Sequence, residues 1–327
     1  MTILDIPHHE KSALSKVLRF SRGQVRNFRD YGGFAKATTQ RHFSKDHRTR
    51  MAAISAGVRL PDRYPRLGTG SVAAVTMVRN EEDIIEQTVN HLLEQGVDYV
   101  LIADNNSTDS TPEILAKLSN NPRIGLAFDS VPAYFQSEKM ENLTSFARSI
   151  GATWVIPFDA DEYWYAEGQT LASYLRNSDG KRFPALVHNA FPTLDSAHEL
   201  WVDESHEVLP KTAFKSFPFS YPTMGNHFAG RPGQFQGGLH IIHHPWRSKA
   251  QIREKSRNGS LALKLAGFET QYGSQWTGID DKSDLMVDQI WESILRQEPD
   301  PVLGLRATGP FHLVDPRNMS SWNLTTP

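Results

Sequence analysis

Trp154-Val155-Ile156-Pro157-Phe158-Asp159-Ala160-Asp161-Glu162-Tyr163-Trp164 is an apolar run that ends abruptly in three carboxylates. The apolar part suits a strand inside a sheet, and its end is where a site would sit. Residues two apart on an extended backbone point the same way, so Asp159 and Asp161 can together offer oxygen ligands to one hard divalent cation such as Mg²⁺ or Mn²⁺. A lone Asp-x-Asp is ordinarily just an acidic turn, so the surrounding chain has to decide.

Upstream, residues 72–78 form an apolar run of strand length, followed by Arg79-Asn80-Glu81-Glu82-Asp83. That turn offers a cap-type Asn and acids suited to a helix's first turn. Ile84, Ile85, Thr88, Val89, Leu92 and Leu93 then recur at helical spacing up to Gly96. A second strand reads from Tyr99 to Ala103, followed by Asp104-Asn105-Asn106-Ser107-Thr108-Asp109, with Thr111 and Pro112 placed to cap and start another helix. Residues 124–128 read as a third strand, 138–150 as a helix, and 154–158 as the strand that delivers the carboxylates. Alternating strand and helix implies right-handed crossovers and a mostly parallel α/β sheet covered on both faces. Such sheets bind ligands beyond the carboxyl ends of their strands, and the clusters 79–83, 104–109 and 159–162 all fall there. A dinucleotide-binding domain would need a glycine-rich first turn; here that turn has no glycine and two glutamates, so any phosphate must be neutralised by other means.

In order and spacing, Val78-Arg79-Asn80-Glu81-Glu82, Asp104 to Asp109 and Asp159-Ala160-Asp161-Glu162 resemble the three signatures of inverting family-2 glycosyltransferases with the Rossmann-like GT-A fold. Gly225-Asn226-His227 and His243-His244-Pro245-Trp246-Arg247-Ser248, with Lys255 and Asn258-Gly259, resemble a bacterial, largely actinobacterial branch. The similarity covers roughly residues 71–260. It implies a nucleotide-sugar donor, a divalent cation (Mn²⁺ or Mg²⁺) and transfer to the hydroxyl of a glycan, lipid-linked or small-molecule acceptor, as in polysaccharide or glycoconjugate synthesis.

The resemblance also assigns expected roles. Asp159, Asp161 and His243 would hold the cation. Thr76, Arg79, Glu81 and Ser107 would flank the nucleoside. Asp104 would accept from a pyrimidine ring N–H, which uracil and thymine have and cytosine lacks, favouring UDP or dTDP sugars. Gln136 would lie near the donor, and Arg247 and Lys255 would meet diphosphate charge together with Asp159 and its cation. An inverting displacement needs a base on the opposite face of the sugar. The Glu-Asp pair that usually supplies it is missing here, so His227, in the branch motif, leads; Asp195 follows, and Glu162 is kept as the third catalytic candidate. Two other classes compete. A metal-dependent nucleotide-sugar phosphohydrolase would show a denser His and Asp set. A catalytically dead sugar-nucleotide-binding module would not need the intact Asp-x-Asp.

With 327 residues the chain has room for one large domain with extensions. The expected division is a basic extension over 1–70, a GT-A domain over 71–265 and a C-terminal extension over 266–327 with at least one helix. There is no cysteine, so no disulfide framework. No apolar run reaches the roughly 18 to 20 residues of a membrane span, and no secretion signal opens the chain, so a cytoplasmic protein is expected. The net charge of −2 hides an asymmetry: residues 1–70 carry 14 Lys or Arg against five acids. Basic residues from Lys16 to Arg29 could line one helical face, suited either to ordinary packing or to peripheral contact with an anionic membrane. Nothing in this pattern suggests a nucleic-acid partner.

Overall fold

A computed structural model of the chain describes residues 29–268 and 282–324, together with 271, 273, 276, 278 and 279. The basic stretch from Lys16 to Phe28 lies outside the described residues. Helix α1 covers 29–43 and α2 covers Lys45–Gly57. They are followed by β1 (Val58–Arg59), β2 (Val72–Val78), α3 (Ile85–Glu94), β3 (Tyr99–Asp104), α4 (Thr111–Leu118), β4 (Ile124–Asp129), α5 (Gln136–Ser149) and β5 (Trp154–Pro157). Next come β6 (Glu162–Ala166), α6 (Leu171–Arg176), β7 (Arg182–Pro192), β8 (Leu200–Asp203) and β9 (Lys211–Lys215). The chain then forms β10 (Tyr221–Pro222), β11 (Ala229–Gly230), β12 (Leu239–His243), α7 (Lys249–Ala266), α8 (Asp284–Leu295) and β13 (Phe311–Val314).

The main sheet runs β1-β4-β3-β2-β5-β9-β7-β12-β6, with β8 added beside β7 and β13 beside β8. Its parallel core, β4-β3-β2-β5, is the one the alternating strands and helices predict. The apolar runs that make these strands are buried throughout: Val72, Ala73, Ala74, Val75, Val100, Leu101 and Ile102 have no exposed surface. Beyond β5 the sheet turns mixed, because β9 enters antiparallel to both β5 and β7, while β12 runs parallel to β7 and antiparallel to β6. The result is the helix-flanked α/β sheet expected of a GT-A layout.

Two helix starts differ from expectation by a small slip. Asn80 is not a cap; it sits in the left-handed region at φ 55°, and α3 begins only at Ile85. Thr111 is the first residue of α4 rather than its cap, Ser110 taking that place. In both cases a side chain expected to serve its own helix is recruited by the facing loop: Asn80 Oδ1 accepts from Thr108 N–H at 2.8 Å, and Thr111 Oγ1 accepts from Glu81 N–H at 2.9 Å. The loops after β2 and β3 are thereby stitched together.

The flanking segments pack on the same body. Strand β1 pairs antiparallel along the outer side of β4, and α2 lies against α5. Helices α7 and α8, with Leu303 and Leu305, share a third apolar cluster with Phe191 and Trp246. No described helix is long and apolar enough to cross a membrane.

Candidate functional site

A cavity of about 650 Å³ opens at the carboxyl ends of the parallel strands. Met77 to Glu81 after β2, Asn105 after β3 and Asp159 to Asp161 after β5 form one side of it. Lys211 of β9, His227, His243 of β12 and Lys255 of α7 form the other. The register explains the meeting: His243 at the end of β12 is directly opposite Glu162 at the start of β6 and beside Asn189 of β7. His244 N–H closes the turn by donating to Asp161 O at 2.9 Å.

Each aspartate is held by its own lysine. Lys211 Nζ donates to Asp159 Oδ2 and lies 3.0 Å from Glu162 Oε1. Lys255 Nζ donates to Asp161 Oδ2, with Arg247 Nη1 at 3.7 Å and His243 Nε2 at 3.8 Å from the same carboxylate. Burial works to raise the Asp161 pKa, but the charges of Lys255 and Arg247, with His243 close by, outweigh it and hold the group well below the usual carboxylate range. Glu162 has no exposed surface, and burial pushes its pKa up to about 7 despite Lys211. Burial would lower the Lys211 pKa, yet Asp159 and Glu162 more than offset it, so the ammonium stays charged.

Asp159, Asp161 and His243 offer carboxylate oxygens and an imidazole nitrogen, a donor set that suits Mn²⁺ or Mg²⁺ chemically. His243 is kept neutral, its pKa lowered to about 4 chiefly by burial. Its Nδ1 is 3.4 Å from Asn189 Oδ1, which orients the ring and leaves Nε2 toward Asp161. In donor chemistry the residues suit a divalent cation, but their ligand atoms do not all lie within 4.8 Å of one another, so a cation would have to draw them together and take the two carboxylates off Lys211 and Lys255.

His227 is built in from three directions. Its Nδ1 is 3.0 Å from Pro210 O, so the N–H there donates to the carbonyl and Nε2 keeps its lone pair. Thr212 Oγ1 donates to His227 O at 2.7 Å. Gly225, at φ 71°, leaves the ring its room, because a Cβ on it would lie 2.5 Å from His227 Nε2. Asn226 beside it is fully buried and donates from Nδ2 to Asp159 Oδ1 at 3.1 Å. Gln136, at the start of α5, accepts from Gly225 N–H at 2.7 Å through Oε1. Burial, then the nearby Lys211 charge, push the His227 pKa below its ordinary value.

The expected residues thus divide. Arg79, Glu81, Gln136, Asp159, Asp161, His227, His243 and Lys255 line the cavity. Arg247 stands behind it, donating to Glu81 Oε2 at 2.5 Å and to Asp83 at 2.7 and 2.9 Å, so it ties the β2 loop to α7 instead of facing a diphosphate. Gln136 is spent on Gly225. Thr76 is wholly buried inside β2, its hydroxyl turned to Met77 O at 3.3 Å. Asp104 Oδ1 accepts from Ser107 N–H at 3.3 Å, and Ser107 Oγ from Asn80, so both brace the loops behind the cavity wall. Glu162 accepts from Asp159 N–H and Trp164 Nε1, each at 3.1 Å, with no open face for a substrate. Asp195 is exposed on the β7–β8 connection, where Thr193 and Ser196 turn the chain outward, and it does not reach the cavity.

The sequence reading missed Lys211, the apolar lining of Trp246, Trp276 and Leu303 to Leu305, and the rim formed by Val208 and Leu209. A lone lysine opening a short strand carries no motif. Its partners become visible only when β9 is inserted between β5 and β7.

Among solved structures, the chain is similar to TarS residues 1–349 of S. aureus in complex with UDP, at 15% identity over 69% of this chain and 71% of that one, with a TM-score of 0.34. It is also similar to the mannosyltransferase PcManGT of Pyrobaculum calidifontis in complex with GDP-Man and Mn²⁺, at 15% identity over 84% and 89%, with a TM-score of 0.37. Likenesses this distant carry no argument about what this chain binds. No curated protein matches the sequence. Residues 73–172, from the start of β2 through the Asp-x-Asp turn into α6, match the model of glycosyl transferase family 2.

Proposed function

We propose that this chain transfers a glycosyl group from a nucleotide-diphosphate donor to an acceptor hydroxyl, with inversion and with the help of a divalent cation. The observation that carries the reading is a coincidence of two independent facts: the family 2 match spans 73–172, and the cavity is floored by the strand ends of that same segment. UDP or dTDP sugars are favoured as donors by the family resemblance alone, since Asp104 itself braces the loop behind the cavity wall.

In this reading Asp159, Asp161 and His243 hold the cation, which when bound would supply positive charge beside the diphosphate. Cleavage at the anomeric carbon leaves extra negative charge on that diphosphate. Lys255, Lys211 and Arg79, which line the cavity, provide fixed positive charge for it. His227 Nε2 takes the proton of the acceptor hydroxyl, since Nδ1–H is committed to Pro210 O. The ring is neutral at physiological pH because burial lowers its pKa. Trp246, Trp276 and Val208 give the cavity an apolar lining.

Thermal-shift titration with UDP, dTDP and GDP sugars, with and without Mn²⁺, tests this directly. A donor bound by the folded state raises the melting temperature, and the shift should be largest for a uridine or thymidine sugar with Mn²⁺ present. No shift with any nucleotide sugar in either condition would overturn the reading.

A further inference from the structure

We propose that His42, His47 and Glu141 form a second cation site, of the zinc class, that fastens α1 and α2 to α5. Among the described residues these are the only three His or carboxylate side chains whose ligand atoms all lie within 4.8 Å of one another. None of them belongs to the cavity described above.

Both imidazoles are prepared for ligation. His42 Nδ1 is 2.9 Å from Thr38 O, so its N–H donates there and Nε2 is free. His47 is only 6% exposed, and its Nδ1 has no hydrogen-bond partner. That atom lies 3.6 Å from Glu138 Oε1, while Nε2 lies 3.8 Å from Glu141 Oε2. Both separations are too long for hydrogen bonds. Two ligands each about 2.0 to 2.1 Å from a tetrahedral ion stand about 3.4 Å apart, so the pair of His47 and Glu141 is close to the spacing a shared ion imposes. Glu138 is then placed to accept from His47 Nδ1–H, the carboxylate-histidine arrangement that orients a metal ligand.

Two arginines border the site and set its limits. Arg41 donates to Glu141 Oε2 at 2.8 and 3.0 Å and stacks over Tyr221, and Arg50 lies 3.5 Å from Glu138. Arg41 therefore shares Oε2, the oxygen that faces His47 Nε2, with the ion. The two arginines balance the two glutamates, so the affinity rests on the imidazoles rather than on surplus negative charge, which favours Zn²⁺ over Mg²⁺ or Ca²⁺. The site joins the end of α1 and the start of α2 to α5, the helix whose first residue holds Gly225 beside His227.

The test uses the whole chain, stripped with EDTA and titrated with Co²⁺ as a visible reporter of zinc-type coordination. One equivalent should give a d–d absorption band that Zn²⁺ bleaches. His42→Ala and Glu141→Gln should each weaken the band's titration by about tenfold or more. Glu138→Gln should weaken it by about 10- to 100-fold, and Asp161→Asn should leave it unchanged. Absence of the band, its persistence at full affinity in His42→Ala, or its loss in Asp161→Asn would overturn the proposal. Circular dichroism of each variant separates loss of binding from loss of folding.

Discussion

The two halves of the sheet contribute opposite kinds of chemistry. The parallel half supplies acids and polar turns: Glu81 and Asp83 after β2, Asp159 and Asp161 after β5. The mixed half supplies the cations and imidazoles that answer them: Lys211 from β9, His243 from β12, Arg247 and Lys255 from α7 and its approach. Neither half is a site alone. Separated, one would hold buried carboxylates without partners and the other buried cations, each costly to desolvate, so closing the site is also part of holding the two halves together.

The hardest way to break this complementarity is at Asp161, where three groups of the mixed half converge. Asp161→Asn should lower the turnover number by about a thousandfold, since removing an electrostatic element at a reacting centre costs about 10²- to 10³-fold and Lys255 and Arg247 lose their anchor as well. Melting within a few degrees of wild type would show that the fold survives. Wild-type turnover in the EDTA-treated variant would remove Asp161 from the chemistry.

His227→Ala comes next, with an expected fall of about a hundredfold in turnover number and little change in the donor's KM. The wild-type pH profile carries a second reading. A base must be unprotonated, and this ring's pKa lies below its ordinary value, so the rate should be level at neutral pH and fall only as pH drops below about 6.5. A profile still climbing above pH 7 would point to another base.

Gln136→Ala sharpens the comparison, because Gln136 comes from the parallel half yet supports the mixed half through Gly225. We expect about a tenfold loss in turnover with the donor's KM unchanged, as for a residue that holds a catalytic turn. A raised donor KM with normal turnover would instead put Gln136 on the nucleotide. Asp195→Ala should be the smallest effect, within about twofold of wild type, because that side chain points to solvent on the β7–β8 connection.

The same division explains what the sequence made legible. Strands β2 to β5 are continuous apolar runs that end in polar turns, and each matches its expected span to within a residue. The local signals there are strong, since burial on both faces leaves little choice of residue. What could not be read is which residue answers which charge. Nothing in the pattern of Lys211 pairs it with Asp159, 52 residues earlier, and nothing in Gly225-Asn226-His227 announces that Pro210 O would orient the ring. Thr76 and Asp104 show the converse. They match positions that face a nucleoside in the resembling family, yet here their side chains are satisfied within the protein.

Strand β1 is only two residues long, yet it lies along the outer side of β4, Val58 opposite Asp129 and Arg59 opposite Phe128. Without it, β4 would present a row of unpaired backbone groups at the flank of the sheet, an invitation to pair with the same strand of another molecule. A chain begun at residue 71 would retain the whole cavity and lose this guard. Such a truncation should be soluble only when dilute and should form higher oligomers on concentration, which makes the basic N-terminal region a safeguard against self-association as well as a neighbour of the catalytic body.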